Sequence, residues 1–218
     1  MTYGECRDAS LNLIHQESIA GTVIPGTYNN QQDYLNKIPG LINAAQMDIA
    51  TTTKPIPAEV MLGDMLCEFR NDNFVYQLPD DLWQRRGSGI LVPVRGPFID
   101  RPGLRYDRFN HVRMVGNSQL IVPCELPPDC ILEYYRYPIR LQTKPEDWDL
   151  LDNVPEAQEC VPYYVAAHCV MYDDAFLYAT LYNEYTSKKN NLHDLVRTEM
   201  DTVQDVYMPY AGDYYYWG

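Results

Sequence analysis

Apolar residues recur with a helical period at both ends of this chain and with a shorter, strand-like period in its middle. The N-terminal pattern predicts two helices and a loop: a helix from Thr2 to about Glu17, a loop over Ser18–Asn30, and a helix over Asp33–Thr51. Pro39 interrupts the second pattern, so that helix either begins near Ile38 with Pro39 in its first turn or kinks at Pro39. Pro55 and Pro57 end this helical part.

The middle of the chain predicts short antiparallel strands. Two hairpins are indicated: Met61–Arg70 with Phe74–Leu78 around 70–73, and His111–Val115 with Gln119–Val122 around 116–118. Another strand is predicted over Ile131–Tyr137, while Leu78–Trp83 leads away from the first hairpin. Residues 87–110 hold seven Gly and Pro residues and predict a long irregular excursion. We expect this block to form a small antiparallel sheet or open barrel.

The last third of the chain returns to a helical period. A helix is predicted from Val154 to about Tyr172, with a kink at Pro162. Asp173 and Asp174 predict the N-terminal cap of the next helix, which we expect to end near Asn190-Asn191. A short third helix over 192–206 and an aromatic tail, Tyr207–Gly218, complete the chain.

These elements predict the α+β class. The N-terminal helices are too few to bury their own apolar stripes, so we expect them to pack on the C-terminal helices in one discontinuous bundle. Three units follow: a helical domain of 1–57 and 143–206, an inserted small antiparallel sheet or barrel over 58–142, and the tail 207–218.

Composition adds charge and tyrosine to this picture. The chain has 17 Lys and Arg against 30 Asp and Glu, a net charge of −13, and 19 of its 218 residues are Tyr. So acidic a protein is repelled by nucleic acid and anionic membranes, while Tyr favours protein interfaces. No apolar run is long enough to cross a membrane and no signal peptide is readable at the start, so we expect no membrane contact.

The charge is unevenly distributed. The basic segment, Arg85–Arg113, holds seven Arg and two Asp and is therefore +5, which leaves the remainder at −18. Its arginines either solvate a long loop or form a docking arm for an acidic surface or for phosphate. For partner binding we single out four arginines of this segment and five aromatic residues of the tail: Arg95, Arg101, Arg105, Arg108, Tyr210, Tyr214, Tyr215, Tyr216 and Trp217.

No catalytic motif is evident in the sequence. The six Cys residues include no CxxC pair and are expected to be reduced and mostly buried. Cys160, His168 and Cys169 lie near one side of a predicted helix, but a fourth metal ligand is missing, which favours a core histidine. The adjacent carboxylates, 80–81, 146–147 and 173–174, fit turns and helix starts better than a catalytic pair. We therefore expect no enzyme activity, cofactor or metal.

Three segments carry a resemblance to a known family: Lys37–Thr52 with Lys54-Pro55-Ile56, Phe74–Leu82 (FVYQLPDDL), and Val154–Ala167 (VPEAQECVPYYVAA) with the helix that follows to Tyr185. They resemble head–tail adaptor (connector) proteins of tailed bacteriophages, and the order of elements is similar to the tubular adaptor of short-tailed phages. Segments and order together span most of the chain. The basic segment and the aromatic tail fall outside the resemblance.

The resemblance implies a structural virion protein of the neck, assembled in the host cytoplasm. Its copies would form a ring, commonly of twelve, beneath the portal protein, with tail or nozzle proteins below and genomic DNA passing non-specifically through the lumen. The acidic, Tyr-rich composition agrees with such a conduit. Two alternatives remain: another neck or tail subunit, such as a tail terminator or tube protein, and an enzyme with a nonlocal site.

Overall fold

The computed structural model describes residues 1–17, 28–86, 90–93, 106–116 and 118–204, and these residues form helices and antiparallel sheets, an α+β fold. The helices are α1 (Tyr3–Glu17), α2 (Tyr28–Thr52), α3 (Pro155–Gln158), α4 (Val161–Val170) and α5 (Ala175–Gln204). The strands are β1 (Ile56–Met61), β2 (Cys67–Arg70), β3 (Asn73–Gln77), β4 (Leu82–Arg85), β5 (Ile90–Pro93), β6 (Tyr106–Phe109), β7 (Arg113–Val115), β8 (Gln119–Val122) and β9 (Ile131–Arg136). A 3-10 turn, Leu62–Asp64, follows β1.

The first helix begins where the sequence predicts. Thr2 and Glu5 form a reciprocal capping box: the Thr2 amide donates to Glu5 Oε2 at 2.8 Å, and the Glu5 amide donates to Thr2 Oγ1 at 3.2 Å. The first turn is also bonded to a distant segment, since the Tyr3 amide donates to the Asp149 carbonyl at 2.7 Å. The N-terminus is therefore held by residues near 150.

The second helix overturns the expected start near Ile38; the alternative of a kink at Pro39 stays a prediction. It begins at Tyr28, inside the predicted loop, and continues through Pro39 to Thr52. The remainder of that predicted loop, 18–27, lies outside the described residues. Ile38 and Ile42 are fully buried beside the proline, so burial of the apolar stripe offsets the backbone hydrogen bond that proline cannot donate.

The strands form two antiparallel sheets rather than one. The first has the order β1-β9-β5-β6, with β4 also on β9, and the second has the order β2-β3-β8-β7. Both predicted hairpins are present; Asn71 and Asp72 make a two-residue turn at φ 52° and 57°, and Gly116 is at φ +60°. β1 begins at Ile56, so a strand crosses the boundary drawn after residue 57.

Three strand predictions need correction. The run Met61–Arg70 is broken by the 3-10 turn, because Gly63 packs closely on Pro128 and the chain changes sheets there. Strand β4 occupies a stretch for which the sequence predicts only an exit from a hairpin. The predicted irregular excursion 87–110 contains β5 and β6, whose four-residue ladder pairs Ile90 with Phe109.

The C-terminal helices also differ from expectation. The predicted kink at Pro162 is wrong: the chain breaks one turn earlier, between α3 and α4, and Pro162 lies in the first turn of α4, where its missing N–H costs nothing. The Asp174 cap is confirmed, as its Oδ1 accepts the amides of Phe176 and Leu177 at 3.0 Å. Helix α5 does not end at Asn190-Asn191, and no separate third helix begins at 192, because buried Leu192 continues its apolar stripe.

Helices from both ends of the chain contribute to one apolar cluster. Cys6 of α1, Ile42 of α2, Val165 of α4 and Tyr185 of α5 are buried in it together. A second cluster lies between the two sheets and holds Tyr76, Leu82, Leu120 and Leu132 among others. Cys130 is buried there, and none of the six cysteines is in a disulfide.

Candidate interaction surfaces

The basic segment contains a β-hairpin of the first sheet, formed by β5 and β6. Its central part, 94–105, joins β5 to β6 and lies outside the described residues, together with Arg95, Arg101 and Arg105. The hairpin is bonded to the rest of the sheet through Leu91, which is paired with Ile131 of β9. Strand β5, which leads into the central part of the basic segment, therefore lies beside β9. The role of the three central arginines stays a prediction.

Arg108 of β6 is engaged within its own chain. Its Nη2 lies 3.2 Å from Glu133 Oε2, and Arg86 Nη1 lies 3.8 Å from Glu133 Oε1. The Glu133 side chain is only 12% exposed, whereas both guanidinium groups are about half exposed. Two arginines thus share one carboxylate at the base of the segment, and part of their charge is neutralised locally.

The predicted docking residues of the aromatic tail follow the longest helix. Tyr210, Tyr214, Tyr215, Tyr216 and Trp217 lie outside the described residues. The described backbone ends at Gln204, the last residue of α5. The tail therefore continues from the C-terminal end of α5, and its docking role stays a prediction.

Tyrosine hydroxyls donate hydrogen bonds to carboxylates on elements that are far apart in sequence. Tyr185 of α5 donates to Asp48 Oδ2 of α2, and Lys189 Nζ lies 2.6 Å from the same oxygen. Burial and the hydrogen bond to Asp48 raise the pKa of Tyr185 well above its ordinary value. The hydroxyl therefore remains a donor at neutral pH and links α5 to α2.

Two similar contacts occur elsewhere. Tyr34 of α2 donates to Asp173 at the turn before α5, and Tyr134 of β9 donates to Asp81 at 3.1 Å. Burial, then the Asp81 charge and hydrogen bond, raise the pKa of Tyr134 to about 12. These contacts give a structural role to Asp81 of the adjacent pair 80–81 and to Asp173 of the adjacent pair 173–174.

His168 belongs to an aromatic cluster. Its ring stacks on Tyr164 with centroids 4.0 Å apart and meets the Tyr178 and Tyr182 rings edge-on at 5.8 and 5.9 Å. Its Nδ1 lies 2.9 Å from the Tyr164 carbonyl oxygen. Within the described residues, no three His, Cys, Asp or Glu side chains are grouped to hold a metal ion. These contacts fit a histidine of the helical core.

Three of the buried thiols are kept protonated by a raised pKa. Burial raises the pKa of Cys6 to about 12 and that of Cys169 to about 11, and burial also raises the pKa of Cys160. Cys160 lines an open groove of about 330 Å³ with Glu159 and Lys188. A thiol with a raised pKa is a poor nucleophile at neutral pH, so this environment does not activate Cys160.

A strap of residues 137–154 joins the strands to the helices. Asn43 of α2 exchanges two hydrogen bonds with the backbone of Leu141, at 2.8 and 3.0 Å. Arg136 of β9 forms a bidentate pair with Asp152, at 2.5 and 2.6 Å, and the Asp152 amide donates to Gln46 Oε1 at 2.6 Å. Burial opposes ionisation of Asp152, but the bonds from Arg136 and from the Ile139 amide together lower its pKa. The contact is therefore ionic at neutral pH.

Among the described residues, three groups of large apolar side chains are exposed, besides the separate residues Met61, Val115 and Tyr182. One group lies on the strap (Ile139, Trp148, Leu150), one at the turn between α4 and α5 (Met171, Tyr172, Phe176), and one on β2 and the residue before it (Leu66, Phe69). Apolar groups clustered on a surface are typical of protein–protein contacts. None of the three groups is among the residues singled out from the sequence. Apart from Phe176, which lies in the first turn of α5, their residues fall in a turn, a strap or a short edge strand with no periodic signal.

No protein-family model matches the chain, and no curated protein matches its sequence. No helix among the described residues is long and apolar enough to cross a membrane.

Proposed function

We propose that this chain is the subunit of a head–tail adaptor ring in the neck of a tailed bacteriophage. The observation that carries the proposal is the layout of the chain: helices from both ends share one apolar cluster, while the strands between them form two antiparallel sheets. That layout agrees with the three resembling segments and their order. In this proposal 1–57 and 143–206 form the helical domain, 58–142 the β insertion, and 207–218 the docking tail.

The strap supports a rigid subunit of this kind. A ring that transmits load between portal and tail needs a fixed angle between its helical and β parts. Asn43, Leu141, Arg136 and Asp152 provide directional hydrogen bonds at this junction, and directional bonds restrain orientation as well as distance.

Charge supports a conduit. The net charge of −13 repels a DNA backbone, so the genome passes without binding tightly to the wall. In a ring of twelve copies this repulsion is repeated around the lumen. Genomic DNA is thus a non-specific passenger, whereas the portal, the tail or nozzle proteins and neighbouring copies are the partners.

The basic segment and the tail provide two further contacts in this proposal. Arg95, Arg101 and Arg105 reach an acidic surface of a neighbouring copy or of the portal, while Arg108 stabilises the base of the segment through Glu133. The tail residues Tyr210, Tyr214, Tyr215, Tyr216 and Trp217 supply aromatic anchors for the portal, a residue type common at binding hot spots. The high helix content favours an adaptor over a tail-tube or terminator subunit, because those are dominated by strands.

Native mass spectrometry of the purified chain, alone and with the portal of the same phage, tests the proposal. We expect the portal to gain a multiple of 25.3 kDa, about 304 kDa for twelve chains. A chain that stays monomeric and leaves the portal mass unchanged contradicts the proposed function.

Two variants separate the docking elements. Arg101→Glu with Arg105→Glu is expected to slow portal binding at low salt, because reversed charges repel an acidic partner. Deletion of 207–218 is expected to keep the melting temperature and lose portal binding. A truncated chain that melts much earlier yet still joins the portal assigns the tail to the chain's own fold instead.

A further inference from the structure

Strand β2 is an edge strand that projects beyond the core. All four of its residues are exposed, and in the described part of the chain its ladder partner is β3. Phe69 lies on the core side of the sheet, since it is opposite Phe74, which is in turn opposite buried Val122. It is nevertheless 66% exposed, and Leu66 just before the strand is 77% exposed. An edge with open backbone groups and exposed apolar side chains is a template for another strand.

Strand β7 is the other end of the same sheet. All three ladders of the order β2-β3-β8-β7 are antiparallel, so β7 runs opposite to β2. Suppose that a rotation places the sheet of a neighbouring copy next to this one, edge to edge. The β7 strand of the neighbouring copy then runs antiparallel to β2 of the first copy. Head-to-tail contacts of this kind generate rings when the rotation closes.

Residues that lie opposite one another across the four strands form rows, and the side chains at the two ends of these rows are complementary. One row starts with Glu68 on β2, passes through Val75 and Ile121, and ends with Arg113 on β7. The next row on the same face of the sheet, two positions along, begins at Leu66, whose carbonyl accepts the Gln77 amide at 2.8 Å, and ends with Val115 on β7. Continued into a neighbouring copy, the rows place Glu68 against Arg113 and Leu66 against Val115. An acid then meets a base, and two exposed apolar groups cover each other.

The backbone alternation fits the same register. Leu66 bonds to β3 through Gln77, so the antiparallel pattern turns the amide and carbonyl of Cys67 and Phe69 to the open side. On the other edge, the Leu78 amide donates to the Ser118 carbonyl, and alternation across β8 turns Met114 outward. Cys67 and Met114 lie in one row, and as a hydrogen-bonded pair they would exchange two backbone bonds.

We propose that copies of this chain join by edge-to-edge strand addition, with β2 of one copy antiparallel to β7 of the next and Cys67 opposite Met114. This inference deepens the proposed function and rests on its ring of copies. The exposed Leu66 becomes covered by Val115 of the neighbouring copy, and the two four-stranded sheets of neighbouring copies become continuous.

A charge exchange tests the register. Within one copy, Glu68 and Arg113 are three strand spacings apart, about 14 Å, which exceeds the screening length of about 8 Å at physiological salt. Glu68→Arg or Arg113→Glu alone should weaken self-association about fivefold or more in sedimentation velocity, and the double exchange should restore it. Restoration can come only from contact between copies. Single variants that associate like the wild type overturn the inference.

Cross-linking tests the same register covalently. Cys124→Ser removes the other exposed thiol and serves as the background. In that background, Met114→Cys introduces a thiol on a residue whose Cα lies about 5.5 Å from the Cα of Cys67 in the neighbouring copy, within disulfide range. Mild oxidation should give a ladder of covalent oligomers. Peptide mass spectrometry should identify the link as a disulfide between Cys67 and the thiol introduced at position 114. The matched control, Val115→Cys, turns its thiol to the other face of the sheet and should give no such bond.

The outcomes separate this inference from the proposed function. A ring on the portal in which Cys67 does not cross-link to the Met114→Cys thiol overturns strand addition and leaves the adaptor function standing. A covalent ladder from a chain that never joins the portal supports strand addition and contradicts the adaptor function. A disulfide between the Cys67 residues of two copies, in the Cys124→Ser background alone, indicates a symmetric contact and overturns the head-to-tail register.

Discussion

The strap gives the sharpest prediction about stability. In Asp152→Asn, the side chain keeps its size but loses its charge and one acceptor oxygen. Asp152 Oδ1 accepts Arg136 Nη2 at 2.6 Å, while Oδ2 accepts Arg136 Nη1 at 2.5 Å and the Ile139 amide at 2.6 Å. The variant therefore leaves the guanidinium of Arg136 partly buried with a weakened partner.

The expected magnitude follows from the burial of this pair. Hydrogen bonds to charged groups contribute about 1.5–3 kcal/mol and exposed ion pairs about 0–1 kcal/mol. The two side chains are 19% and 23% exposed, so we expect a loss of about 2 kcal/mol in the free energy of unfolding. For a chain of 218 residues this corresponds to a melting temperature about 4–8 °C lower.

The pH dependence gives an independent check. The folded-state pKa of Asp152 is lowered, so its contribution is present above the unfolded value near 3.9 and is lost as pH falls through the folded value. Urea unfolding should therefore show a large difference between wild type and Asp152→Asn at pH 7 that shrinks toward pH 3. Asp80→Asn, an exposed carboxylate with the same change, is the control. Equal losses in both variants, or a difference that persists in acid, refute the reasoning.

The remaining predictions concern the helical core and one close backbone contact. Tyr185→Phe removes the donor to Asp48 and should lower the free energy of unfolding by about 1 kcal/mol at pH 8. Because the pKa of Tyr185 is raised in the folded state, the wild type loses this advantage as the pH rises past about 10. The urea midpoints of the two proteins should therefore converge above about pH 10. Gly63→Ala should lower the melting temperature, since the added Cβ would lie 2.9 Å from Pro128 Cβ, at a cost of about 1–3 kcal/mol. Its control, Gly40→Ala, meets nothing within 4 Å on helix α2 and should be neutral or stabilising by up to about 1 kcal/mol in the same thermal scan.

Regular periodicity made most elements predictable. Helix α1, the two hairpins, strand β9 and the Asp174 cap follow from short-range patterns, because each is decided by residues a few positions apart. Thr2 and Glu5 even carry the capping-box spacing that starts α1. Local rules fail where they compete with burial: Pro39 remains inside α2 because its neighbours Ile38 and Ile42 are fully buried.

Long-range pairing explains what was missed. Strands β5 and β6 lie in a Gly- and Pro-rich stretch, and their ladder depends on partners 13 to 19 positions apart. The tyrosine–carboxylate contacts include pairs more than a hundred positions apart, as in Tyr185 and Asp48, so no local pattern indicates them. Of the predicted partner-binding residues, Arg108 is engaged with Glu133 in its own chain, and the others lie outside the described residues.

Negative-stain imaging of the portal with and without this chain tests the central claim most directly. The adaptor account predicts an added ring of density on one face of the portal, coaxial with its channel, made of many copies of the 25.3 kDa chain. Images in which the portal is unchanged, with the chain present as separate particles, would contradict it.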